Sequence, residues 1–176
     1  MGNGIKNVIS ALALVATTSI MMACGVNPRV DNGQGNAANQ SRAAFDPCTL
    51  LTKEDAEAAL EASVKKVTPQ GLSTADTCQY LREKAENLAQ AGESATLQVH
   101  FGNGKLFDSY VKEAAQSFET RAQQVDGVGD KAVFISGQFI VLNKNDFFVV
   151  TIGKKMSDAE RLAATKTVAQ KVVARL

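Results

Sequence analysis

A glycine-rich run, one histidine and a few acids near turns are the residues of this sequence whose types could do chemistry. Gly127-Val128-Gly129-Asp130-Lys131-Ala132 matches the Gly-x-Gly-x-x-Gly/Ala spacing of a dinucleotide-binding turn. That chemistry needs a helix after the turn, so that a pyrophosphate meets the free N–H groups of the helix N-terminus. Here Ala132-Val133-Phe134-Ile135 follows, an apolar segment that reads as a strand. The expectation is therefore a glycine turn with positive φ leading into a hairpin, and no cofactor. His100 is the only imidazole, so a histidine general base would have to be this residue. It stands on the polar phase of an alternating run, Ala95 to Phe101, which predicts a surface or edge position. Asp126, Asp130 and Asp146 lie near turns, and two of them converging in one cleft would make a carboxylate-dependent hydrolase. Solvated turn acids are the commoner use of such residues. The sequence holds no Gly-x-Ser-x-Gly elbow.

The cysteines say more. Met1 to Asn7 carry Lys6 and the amino terminus but no acid, and Val8 to Met22 is an uncharged, mostly apolar run. It is shorter than the roughly 20 residues a membrane-spanning helix needs. It ends in Met21-Met22-Ala23-Cys24, which resembles the lipobox of bacterial lipoproteins, with Met21 where Leu is usual. That resemblance implies an export signal over residues 1–23, cleavage before Cys24 and acylation of Cys24, each buried CH₂ contributing about 0.8 kcal/mol of anchoring. Of three cysteines, Cys48 and Cys78 then remain in an oxidising compartment, where a disulfide is the expectation. Closing a loop of about 30 residues is worth roughly 3–4 kcal/mol in the chain-entropy account. A metal site is the competing use, but there is no Cys-x-x-Cys pair and one histidine, so no metal is expected.

Residues 24–44 are the lipidated cysteine and a tether: Gly25 to Ala44 holds four Asn, three Gly and only Val26 and Val30 as sizeable apolar residues. Such a stretch buries too little to offset its ordering entropy. As a flexible coil of about 20 residues it would span roughly 25 Å. Gly25, rather than Asp, after the cysteine resembles the sorting pattern that permits outer-membrane delivery in bacteria with two membranes. The chain carries 19 Lys plus Arg and 18 Asp plus Glu, and loss of Lys6 with the signal leaves the two in balance. That balance gives no electrostatic footprint for nucleic acid, so partners are expected to be read by shape.

Residues 45–176 are the right length for one domain with a real core. Thr52, followed by Glu54 and Asp55, opens a helix over 53–62, with Leu51 stapled onto Ala56. Strands are expected at 64–68, 77–82 and 95–101, with a long polar connection over 82–93 that has room for a helical turn. A helix over 106–118 presents Phe107, Tyr110, Val111, Ala114, Ala115 and Phe118 on one face. Strands at 132–136 and 138–142 form a tight hairpin about Ser136-Gly137, and the continuous apolar run in 147–152 predicts a central strand covered on both faces. Ser157 and Glu160 form a capping box for the last helix. The order α-β-β-β-α-β-β-β-α makes the fold class α+β, a mostly antiparallel sheet with packing helices.

Two motifs carry a family resemblance over roughly residues 46–176. Asp46-Pro47-Cys48-Thr49-Leu50-Leu51-Thr52, with Cys78 in an Asp-x-Cys-x-Tyr strand, is similar to the opening of uncharacterised actinobacterial-type envelope lipoproteins. Val125-Asp126-Gly127-Val128-Gly129-Asp130 before a hairpin resembles their later signature, and the extracellular sensor domains of mycobacterial receptor kinases are a more distant likeness. Here the first helix ends Leu60-Glu61, where Leu-Gly is commoner. The resemblance implies a compact, disulfide-closed domain near the membrane and no particular activity.

The expectation is thus a non-catalytic cell-envelope lipoprotein, a binding or interaction module held to the membrane through Cys24 and facing outside the cytoplasm. A carrier or sensor of an apolar small molecule or lipid is the first alternative, marked by a cavity beside Phe147–Val150. A carboxylate hydrolase is the second.

Overall fold

The computed structural model of the chain describes residues 45–69 and 76–176, which all belong to one compact unit. The export segment, Cys24 and the tether read from the sequence lie outside the described residues. The helix signals act where they stand. Thr52 Oγ1 accepts from Asp55 N at 3.3 Å and the Asp55 carboxylate accepts from Thr52 N at 3.4 Å, opening helix α1, Lys53–Leu60. Ser157 and Glu160 form the same reciprocal pair at 3.3 and 2.8 Å before α4, Asp158–Arg175. A capping box satisfies two of the N–H groups that a helix start leaves without partners.

Seven strands form one sheet: β1 (Val64–Val67), β2 (Thr77–Arg82), β3 (Ser94–His100), β4 (Gln123–Gln124), β5 (Lys131–Ile135), β6 (Gln138–Asn143) and β7 (Asp146–Gly153). Their order is β1-β2-β3-β7-β6-β5-β4 and every pairing is antiparallel. The chain builds one flank with β1 to β3, crosses to the far edge through α3 (Phe107–Ser117), and returns strand by strand until β7 fills the gap beside β3. The expected order of elements is all present. The helical turn for which the 82–93 connection had room is α2, Leu88–Ala91, and two 3₁₀ turns (Pro47–Thr49 and Gly104–Leu106) and the two-residue edge strand β4 are added to the order.

β7 is central and covered twice. Phe148, Val150 and Ile152 join the core under α1 and α4, with Leu51, Ala56, Leu60, Val168, Ala169 and Val172. Phe147 and Val149 join a smaller core on the other face, where Phe107 is buried and Tyr110, Val111 and Ala114 of α3 pack. From Phe147 to Val150 the residues alternate between two hydrophobic layers, so both phases there are apolar. Each fully buried Phe, Val or Ile contributes on the order of 1.5–3 kcal/mol.

Three details depart from the sequence reading. Phe118 does not continue the buried face of α3: the helix ends at Ser117, Glu119 turns the chain at φ 49°, and Phe118 is 45% exposed. At the other end the helix starts at Phe107 rather than at 106, with Leu106 in the preceding 3₁₀ turn. His100 is not a plain surface residue. β3 turns its polar phase toward the α3 layer, and α3 covers the His100 end of that phase.

Candidate functional site

Each residue with candidate chemistry is now placed. Cys48 and Cys78 are joined in a disulfide with Cα atoms 5.0 Å apart, fastening the 3₁₀ turn before α1 to β2. The sequence reading of that pair is correct. Among the described residues no group of three His, Cys, Asp or Glu side chains could hold a metal, and no helix is long and apolar enough to cross a membrane.

The glycine motif serves the backbone. Gly127 and Gly129 have φ of 81° and 58°, and strand β5 follows the motif. A Cβ on Gly129 would stand 2.4 Å from Leu142 O, so the chain there lies against β6. Asp130 N donates to that same carbonyl at 2.8 Å, and the Asp130 carboxylate accepts from Lys144 N at 2.6 Å. Val128, between the glycines, is buried in the larger core. The motif is a clamp on the β6–β7 turn. Asp146 braces the same end of the sheet by accepting from Gly102 N at 2.6 Å. Asp126 contributes its carbonyl to Lys166 Nζ at 3.0 Å.

His100 lies parallel to Phe147, with ring centroids 4.2 Å apart and 9° between planes, and Tyr110 of α3 approaches at 5.5 Å. Its Nε2 and the hydroxyl of Thr77 are buried with no hydrogen-bond partner among the described residues. Burial lowers the His100 pKa from its ordinary value, with the Asp76 charge pulling the other way. The imidazole is an aromatic member of the α3 layer more than a base.

The acids that do come together were not singled out from sequence. α1 and α4 enclose an open groove of about 460 Å³, walled by Ala58 and Ala59 on one side and Ala164 and Thr167 on the other, with Val168 and Met156 as its apolar base. Small side chains at 58, 59 and 164 keep it open. Ion pairs bridge it at both ends. Lys154 Nζ reaches Glu61 at 2.5 Å, and Lys171 Nζ reaches Asp55 at 2.8 Å. Asp55 is 4% exposed, and Arg175 closes on its second oxygen while donating to Leu50 O at 2.6 Å. Burial raises the Asp55 pKa, but hydrogen bonds from Arg175 and Lys171 outweigh it and bring it to about 2. The Lys154 partner lowers the Glu61 pKa, and the Ser157 cap lowers that of Glu160. Asp55, buried and doubly paired, stays ionised and is a weak base near neutrality, suited to holding charge rather than moving protons.

Comparison of the chain with family models, with curated proteins and with solved structures gives no match. The reading of the site therefore rests on its own geometry. A deep apolar chamber beside Phe147–Val150 would have favoured a carrier. Those side chains are packed between both layers, and the groove and a second cleft at the start of α4 are lined by other residues.

Proposed function

We propose that this chain is an exported, lipid-anchored protein of the cell envelope that works by binding rather than catalysis, with the α1–α4 groove as its recognition surface. The observation that carries the reading is the state of the groove acids. Asp55 is buried against Arg175 and Lys171 with its pKa at about 2, and the exposed Glu61 and Glu160 are lowered by Lys154 and the Ser157 cap, leaving a charged rim around an alanine-walled floor. Such a surface selects by shape and charge placement. The Cys48–Cys78 bridge supports export, since disulfides persist in oxidising compartments. The acyl group on Cys24 supplies the membrane attachment, and neither nucleic acid nor a cofactor has a part in the reading.

Two measurements test it. Cys24→Ser should abolish labelling by an alkynyl palmitate in cells and shift the protein from the membrane to the soluble fraction; undiminished labelling refutes the anchor. A photo-crosslinking residue at Thr167 should trap a partner in cells, and Ala59→Arg, which fills the groove, should remove that adduct. An adduct that persists with the groove filled refutes the recognition surface.

A further inference from the structure

A second cleft, of about 540 Å³, opens where three segments distant in sequence meet at the start of α4. Thr120, Arg121 and Gln123 come from the connection after α3, Ser136 and Gly137 from the β5–β6 hairpin, and Asp158 and Arg161 from α4. The described residues contain four arginines. Arg82 pairs with Glu93 at 2.7 Å and Arg175 pairs with Asp55, while Arg121 and Arg161 pair with no carboxylate among the described residues. These two unpaired guanidiniums line the same cleft. Arg161 is also fixed in place. Its stem lies against Gly137, where a Cβ would come within 3.0 Å of it, and it donates to Ile152 O at 2.7 Å and Met156 O at 3.4 Å. Carbonyls orient the group without neutralising it, so its charge is left for something else. The hydroxyls of Thr120 and Ser136 and the Gln123 amide have no hydrogen-bond partner among the described residues either.

We propose that this cleft binds the phosphate group of a small hydroxylated organic phosphate, with Arg121 and Arg161 taking the oxyanion. A carboxylate offers two oxygens, too few for two guanidinium forks and two hydroxyls; a phosphate monoester offers three oxygens and close to two negative charges. Asp158, which approaches neither arginine closely enough to pair, and the Gln123 carbonyl accept from ligand hydroxyls. Phe134, 7% exposed, gives the carbon skeleton an apolar wall. The ligand is therefore a monoester, as in a free polyol phosphate; the diester phosphate of a glycerophospholipid headgroup, with two non-bridging oxygens and one charge, falls short in the same way as a carboxylate. The proposal stands apart from the α1–α4 groove and does not depend on what occupies that.

The test titrates the full 176-residue chain, held in a non-ionic detergent, with glycerol 1-phosphate and with glycerophosphoglycerol, reading amide shifts by NMR. Glycerol 1-phosphate should move the amides of Ser136, Gly137 and Arg121. Arg121→Gln, at an exposed side chain that makes no hydrogen bond or ion pair among the described residues, should weaken binding at least about tenfold, the usual loss for a charge-assisted hydrogen bond. Lys112→Gln, on the exposed side of α3, should leave it unchanged. The monoester should bind more tightly than the diester, and equal or tighter binding of the diester overturns the proposal. Absence of binding by both at millimolar concentration, or binding indifferent to Arg121→Gln, overturns the proposal.

Discussion

Replacing Asp55 with Asn probes the link between the groove and the stability of the fold. The carboxylate has an unfolded-state pKa of 3.8 and a folded value of about 2. One pKa unit is 1.36 kcal/mol, so the charged form contributes about 2 kcal/mol at neutral pH. Because the folded pKa is depressed, that contribution is complete above the unfolded value and is lost as pH falls toward 2. Lys171 and Arg175 keep 44% and 33% of their side-chain surface, so water can take them over and adds little further cost. Asn also keeps an oxygen able to accept from Thr52 N. Asp55→Asn should therefore lower unfolding free energy by about 2–3 kcal/mol at pH 7. With urea, which leaves charges unscreened, the midpoint should drop by roughly 1–2 M. Far-UV circular dichroism at pH 7, 5, 4, 3 and 2 should show the two proteins converging as Asp55 takes up its proton. A gap that persists at pH 2, or one below about 0.5 kcal/mol at pH 7, would refute the electrostatic account and assign the residue a packing role.

Cys48→Ser and Cys78→Ser should each cost about 3 kcal/mol and the double variant little more, since either change opens the same loop; additive losses in denaturant titrations would contradict this. Gly129→Ala should cost more than Gly127→Ala. Both meet a positive φ, but only Gly129 has a carbonyl where its Cβ would go, so about 2–4 against about 1 kcal/mol is expected, and equal losses would argue against the clamp. His100, neutral and depressed in the fold, takes up a proton more readily when unfolded, so stability should fall as pH drops below 6.5 toward its lowered folded value. His100→Phe should flatten that part of the melting-temperature profile, and an unchanged slope would count against the buried imidazole.

Where neighbours in sequence decide the structure, the sequence was legible. Both capping boxes, the Ser136-Gly137 hairpin and the doubly covered β7 follow from residues within a few positions of one another. The Leu60-Glu61 end is informative in the same way. Glu61 stands at φ 52°, a left-handed helix cap that glycine enters without strain, which gives a physical reason for glycine at this step. Alternation along β3 revealed that His100 and Leu97 face opposite ways, but not that α3 would cover the polar side. The two-residue strand Gln123–Gln124 has no pattern to read. Asp55 carried only the signature of a first-turn acid, because its partners Lys171 and Arg175 arrive from the other end of the chain. The same distance hid both clefts: Arg121 and Arg161 become a pair only when the hairpin and α4 meet.

The disulfide also sets how the domain would carry a mechanical load. A pull from the N-terminal side reaches Cys48 and passes through sulfur to Cys78, in the second strand of the sheet. α1 and β1 lie within the bypassed loop and bear none of it. Antiparallel strands on both sides of β2 then share the tension, whereas without the bridge α1 would be drawn off first and β1 unzipped after it. The bridge thus fixes Cys48 to the frame of the sheet rather than to the outermost helix.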